Sequence, residues 1–398
     1  MSCEWENDGV VQRFREYLQI PSVHPNVDYR ECVTFLQKQA ELLDLPVKVY
    51  ELVPEKPIVV ISWIGTHPEL PAILLNSHMD VVPVYEEFWT HPPFEAHISE
   101  DGYIYARGTQ DMKSIGMLHL EAVRKLKEAG VMMKRTVHVS FVPDEEIGGI
   151  DGMRKFAESD EFKNLNIGFG LDESIPSENN KYIIAFHGEK TTRQIKITSR
   201  GVTGHGSLIP SNTAGEKLYY VIDKFMKLRA EQRRMLEGGA AYGEVISINL
   251  TKLSGGVQVN VLPESLTAYI DIRIAPHVDH DEFENMILSW CKEAGDNVTL
   301  EYIEKNPEVK STKIDGSVPF LEVLNSTVKK MGLEVSYQIC PGATDARFVR
   351  RQGIPVIGFS PLLNTPLLIH DHDERVHVDA YKRGIEIMEK VLLAIANV

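Results

Sequence analysis

From Asp8 to about Asp44 apolar residues recur at helical spacing: Val10, Val11, Phe14 and Leu18, then Cys32, Phe35, Leu36, Leu42 and Leu43. A loop from Pro21 to Asn26 divides them, so the spacing predicts two amphipathic helices. Three apolar runs follow, VKVYELV at 47–53, PIVVISWIG at 57–65 and AILLNSHMDVV at 72–82. The last is too continuous to alternate, which marks a central strand buried on both faces. Next come a helix at about 111–129, a strand at 136–142, a helix near 150–160 and a strand ending at Leu171. This alternation predicts an α/β fold with a doubly wound, mostly parallel sheet. In such sheets ligands gather at the carboxyl ends of strands.

From about His187 to Lys305 the period changes. Alternating strands at 193–199, 244–253 and 265–274 are separated by long helical patterns near 213–236 and 279–293. The α/β pattern then resumes with a helix around 317–331, a strand at 334–340, a helix within ATDARFVRRQG and a strand at 354–360. The expected organisation is a discontinuous domain, 1–186 and 305–398, enclosing an inserted α+β domain, 187–304. A length of 398 residues accommodates two such domains.

Charge narrows the partners. Fifty-seven acidic against 42 basic residues give a net charge of −15, which repels phosphate backbones and anionic lipid, so neither nucleic acid nor membrane is expected. The acidic amino-terminal stretch lacks the basic and apolar regions of a signal peptide, and the expectation is a cytoplasmic protein. Cys3, Cys32, Cys291 and Cys340 are scattered without a C-x-x-C pair. Any metal must therefore be held by histidine and carboxylate.

Such residues stand at the strand exits. His78 and Asp80 form an H-x-D at the end of the buried run, where alternation turns both side chains the same way. Glu145 and Glu146 follow the strand VHVSFVPDEE, Asp172 and Glu173 follow NIGFGLDE, and His370 and His372 lie in LIHDHDE after the last strand. Asp111 is expected to begin a helix after the Gly108 turn. Buried acids at strand ends are costly unless neutralised. Bound cations meet that demand, and imidazole with carboxylate is a ligand set for zinc. Singly these signals are weak: H-x-D also describes a core histidine, and adjacent glutamates a helix start favoured by its dipole.

As an ordered set, SHMDVVP, ARGTQDMK, PDEEIGG, LDE, GVTGHGS, GGVQVNVLP and IHDHDE resemble the zinc-dependent family of aminoacylases, carboxypeptidase G and succinyl-diaminopimelate desuccinylase over most of the chain. TQDMK, GATDARFVR and LLIHDHDERVH are most similar to its aminoacylases, which hydrolyse N-acyl L-amino acids. The resemblance implies two zinc ions per subunit, bridged by Asp111, with His78 and Glu173 on one and Glu146 and His370 on the other. Asp172 and His372 remain alternatives to Glu173 and His370. Glu145 is implied as general base and Asp80 as the group orienting His78. His205 is implied as an oxyanion donor acting across a homodimer built through the insert. Asn260, Arg273, Arg347 and Gly342 are implied as substrate-binding positions. Ser114 departs from the glycine that the family commonly places after DMK. The alternatives are a dipeptidase or aminopeptidase of the same family, sharing every ligand, and a catalytically silent dimeric scaffold.

Overall fold

The computed structural model describes residues 4–398, so Cys3 lies outside the described residues. Two compact units emerge. The first runs through His187 and takes in Thr312–Gln338 and Thr344–Val398; the second comprises Gly188–Ser311 and Ile339–Ala343.

The first unit opens with the helices Gly9–Leu18 and Arg30–Leu42, which bury Phe14 and Leu18, and Phe35 and Leu36. Asp8 starts the first by accepting the N–H groups of Val10 and Val11, which the helix itself leaves unpaired. The eight-stranded sheet has the order Val47–Val53, Lys56–Trp63, Val137–Val142, Ala72–His78, Ile167–Asp172, Val356–Phe359, Tyr182–Glu189, Glu334–Cys340. Its four central strands, from Val137–Val142 to Val356–Phe359, are parallel, flanked by antiparallel neighbours. Every residue of Ala72–His78 is buried, as an unbroken apolar run requires.

Alternation sends neighbouring side chains to opposite cores. Val59, Ile61, Ile73, Leu75, Val137 and Val139 join a large core that includes residues of the helices Gly9–Leu18, Arg30–Leu42, Lys113–Glu128 and Val378–Ile395. Ile58, Val60, Leu74 and Val142 pack instead with Met153, Phe156, Phe348 and Val349. Truncating Leu74 or Leu75 to alanine would cost roughly 2–5 kcal/mol.

Two expectations change here. Asp111 does not begin a helix: the helix starts at Lys113, with Met112 as its N-cap, and Asp111 stands in the preceding turn. The segment near 150–160 is not one helix but a wide turn, Ile150–Arg154, followed by Lys155–Glu158. Gly152 leaves helical geometry there, and a side chain on it would run into the Pro143 carbonyl.

The second unit holds an antiparallel sheet ordered Ser247–Gly255, Ser265–Ile274, Thr191–Arg200, Val298–Lys305. Ile270, Ile272 and Ile274 turn toward the helices Ala214–Glu237 and His280–Glu293, where Phe225 and Trp290 meet edge to face at 5.0 Å. Thr213 and Glu216 close the amino end of the longer helix as a reciprocal capping box. No helix among the described residues is long and apolar enough to cross a membrane.

Candidate metal centre

Three adjacent parallel strands end together. His78 closes one strand opposite Val142, the last residue of its neighbour; Pro143 and Asp144 then lead to Glu145 and Glu146. Asp172 closes the strand on the other side and Glu173 follows it. Asp111 comes from the turn before Lys113–Glu128, and His370 from the segment between Phe359 and Arg375.

Asp111 stands between the two imidazoles. Its Oδ1 lies 3.0 Å from His78 Nε2 and its Oδ2 3.1 Å from His370 Nε2. His370 Nε2 is also 3.1 Å from Glu146 Oε2, and His78 Nε2 is 3.5 Å from Glu173 Oε2. Ligand atoms of His78, Asp111 and Glu146 lie within 4.8 Å of one another, as do those of His78, Glu145 and Glu173. Of the two open pairs, Glu173 and His370 are the members that reach the cluster. Asp172 Oδ1 instead accepts the Asn76 amide at 3.1 Å, and the His372 ring lies against Phe88 at 5.1 Å.

The electrostatics follow from crowding acids out of water. Burial, then neighbouring Asp111, pushes Glu146 up to about 7; burial with Asp111 raises Glu173 well above the carboxylate range, and burial with Glu173 does the same to Glu145. Burial opposes charge on Asp111, but His370 and His78 outweigh it and hold this acid far below its usual value. The hydrogen bonds to Asp111 and Glu146 lift His370 to about 10. His78, which burial alone would keep neutral, is carried well above the usual histidine range by Glu173 and Asp111. A divalent cation relieves this demand directly.

A frame of buried hydrogen bonds holds the cluster. Asp80 accepts the N–H of Glu145 on Oδ1 at 3.2 Å and that of Glu146 on Oδ2 at 3.0 Å. The nearest acceptor to His78 Nδ1 is the Asp80 backbone carbonyl at 2.9 Å, with the carboxylate at 3.6 Å. Asp80 thus meets His78 chiefly through its main chain, whereas the sequence pointed to its side chain. Asp144 sits in the left-handed region, φ 63°, anchored by the Tyr29 hydroxyl at 2.7 Å and Lys56 Nζ at 2.7 Å. That turn aims Glu145 and Glu146.

The sequence pattern of peptidase family M20/M25/M40 matches residues 74–394. The chain belongs to that family. It is 45% identical to mouse aminoacylase-1 over 390 residues, covering 98% of this chain and 95% of the relative. Aminoacylase-1 of Dictyostelium discoideum is 40% identical, with full coverage of both. Among solved structures, an M20 family metallo-carboxypeptidase from Sulfolobus solfataricus superposes with a TM-score of 0.75 at 18% identity, over 98% of this chain and 99% of that one. The M20 family is metal-dependent, and this member carries candidate histidine and carboxylate metal sites.

The remaining positions named from the sequence divide between the units. In this M20 chain Arg347 lies in the first, donating to the Thr344 carbonyl at 2.9 Å and to that of Gly148 at 2.8 Å. His205, Asn260, Arg273 and Gly342 lie in the second. His205 is exposed, with Nδ1 2.8 Å from Ser207 Oγ, and the Gly206 N–H donates to the Asn260 carbonyl at 2.8 Å. Arg273 is anchored: Nε and Nη2 donate to Asp271 at 2.9 and 3.1 Å, and Nη1 to Thr192 Oγ1 at 2.8 Å.

Sequence reasoning overlooked three residues. Glu374 is wholly buried and gathers Arg107 and the N–H groups of Gly108, Gln110 and Asp111. Its signal was an acid at the end of the quoted IHDHDE motif. Asp345 is 1% exposed, and neither carboxylate oxygen finds a hydrogen-bond partner. His24, in the first interhelical loop, places Nε2 2.9 Å from Asp80 Oδ2. Nothing in its local sequence marked it.

Proposed function

We propose that this chain is a two-zinc aminoacylase that hydrolyses N-acyl L-amino acids, with acetylated aliphatic ones preferred. The observation that carries the reading is the Asp111 carboxylate, shared between His78 and His370 with a glutamate beside each. Similarity to aminoacylase-1 along nearly the whole chain supports the substrate class.

The residues fit a metal pair. Asp111 would bridge, with His78 and Glu173 on one zinc and Glu146 and His370 on the other. Glu146 Oε1 is buried without a hydrogen-bond partner, as an oxygen reserved for a cation would be. Bound zinc supplies Lewis acidity, polarising the amide carbonyl and making water a nucleophile near neutral pH. Glu145 then acts as general base, taking a proton from the attacking water and passing it to the leaving nitrogen. Asp80 fixes the Glu145 turn and the orientation of His78.

The second unit serves recognition. Residues 187–304 form a dimerisation domain in this reading, and His205 of one subunit donates to the developing oxyanion in the site of the other. Asn260, Arg347 and the Gly342 loop contact substrate. Arg273 has five N–H donors, of which Asp271 and Thr192 use three. One N–H remains on each of Nη1 and Nη2, available to the substrate's α-carboxylate. Buried free cysteines at 32 and 291 suit a reducing cytoplasm.

The test compares kcat/KM for N-acetylmethionine, its carboxamide and alanylmethionine on the zinc-loaded protein. N-acetylmethionine should be strongly preferred. Equal rates for acid and carboxamide would remove the carboxylate anchor, and preference for alanylmethionine would make this a dipeptidase.

A further inference from the structure

We propose that His24 is a positioning residue for the catalytic turn, acting through Asp80 on Glu145 and Glu146. The inference rests on the metal-centre reading above and adds a residue outside every motif that led to it.

The loop carrying His24 is fastened along the chain segment that follows His78. Ser22 Oγ donates to the Met79 carbonyl at 2.6 Å, Val81 N–H to the Ser22 carbonyl at 2.9 Å, and His24 N–H to the Val81 carbonyl at 3.1 Å. Val23 and Val81 form a parallel bridge. The imidazole is therefore delivered to Asp80 from a backbone with little freedom, and it is itself only 8% exposed.

Asp80 is the receiving group, fully buried. A carboxylate offers about four acceptor sites. Here Oδ1 takes the Glu145 N–H at 3.2 Å, and Oδ2 takes the Glu146 N–H at 3.0 Å and His24 Nε2 at 2.9 Å. The two peptide N–H groups belong to consecutive residues of one turn. His24 supplies a third donor from a separate segment, so the carboxylate, and with it the turn that carries base and ligand, is tied to the His24 loop as well. Without that donor, Oδ2 keeps a buried lone pair unmet and the carboxylate is held by the two peptide N–H groups alone. Groups that steady ligands in this way are typically worth about 10–100-fold in metal affinity or activity.

The experiment uses the full-length protein and three variants, His24→Leu, His24→Gln and His24→Ser. Zinc affinity is read by chelator competition, and kcat and KM on N-acetylmethionine at saturating zinc. His24→Leu should weaken zinc affinity and lower kcat by about tenfold each, with KM within about twofold. His24→Gln, whose amide N–H can meet the same oxygen, should return both to within about threefold of wild type. His24→Ser, too short to reach Asp80, should repeat the leucine result with less disturbance of packing. Wild-type zinc affinity in both the leucine and serine variants overturns the proposal, as does a glutamine variant no better than leucine. If the wild type binds zinc but leaves N-acetylmethionine intact, the functional reading fails, and the chelator competition still decides the role of His24.

Discussion

Arg107 and Glu374 form an ion pair almost sealed from water, Nη1 to Oε2 2.7 Å, with side chains 2% and 0% exposed. The same carboxylate receives the N–H of Gln110 at 2.6 Å and of Asp111 at 3.3 Å. Glu374 thereby ties the loop carrying His370 to the turn carrying Asp111. Glu374→Ala leaves Arg107 as an uncompensated buried charge, a change that typically costs about 3–5 kcal/mol. A fall in Tm together with a roughly 10–100-fold loss of metal affinity is expected. Wild-type metal binding in a folded Glu374→Ala protein would show that the tie is dispensable.

Glu145 and Glu146 are adjacent but should fail differently. Glu145→Gln is expected to keep two zinc ions per chain and lose at least about 10²–10⁴-fold in kcat, because only proton transfer is removed. Glu146→Gln should lose metal as well. Elemental analysis after dialysis, paired with kinetics, separates them; metal loss in Glu145→Gln with near-normal kcat would exchange the two roles.

His119 is 1% exposed, and neither ring nitrogen has a hydrogen-bond partner; burial pushes it down to about 3. Burial likewise takes His138 down to about 4. The unfolded chain binds protons at both sites near pH 6.5, whereas the folded chain does not until pH 3–4. Their contribution is complete above pH 6.5 and is lost as pH falls toward that range, at up to about 1.4 kcal/mol per pH unit for each histidine. Melting curves of wild type and His119→Leu between pH 7 and 4 check this. The variant should gain on wild type steadily with acidity, and a pH-independent difference would mean that His119 is not held neutral.

Complementation tests the trans role of His205. Homodimers of His205→Ala and of Glu145→Ala should each be inactive. After subunit exchange, a mixed dimer carries one site with an intact Glu145 and an intact His205 from the other chain, so activity should reappear. Demonstrated exchange without recovery would return His205 to its own subunit's site or remove it from catalysis.

How much of this was legible depended on range. Ser265–Ile274 and Ala72–His78 were readable because alternation and unbroken apolarity are local properties. His78, Glu145, Glu146 and Glu173 were legible because each stands at or just after the end of a strand that the pattern locates, whereas Asp111 and His370, on turns, were named through the motifs. The helix read across 150–160 failed because Gly152 and the Pro143 carbonyl meet only in the folded chain. Glu374 and His24 escaped for the same reason: their importance lies in partners 263 residues away at Asp111 and 56 residues away at Asp80. The edge strand Val298–Lys305 and the long terminal helix Val378–Ile395 were not assigned, although the nine buried residues of that helix recur at helical spacing. That omission was one of reading, not of signal.

The interruption of the first unit by the second imposes an order on synthesis. A ribosome delivers His78, Asp111, Glu146 and Glu173 before the insert, and His370 only after it. All four strands and both long helices of the second unit have emerged by Lys305, whereas the parallel sheet still awaits Val356–Phe359. The nascent chain therefore carries a cluster of acids for a long interval before the imidazole that completes it exists. During translation the protein can hold the sheet and helices of its second unit while the candidate metal centre of the first remains unassembled.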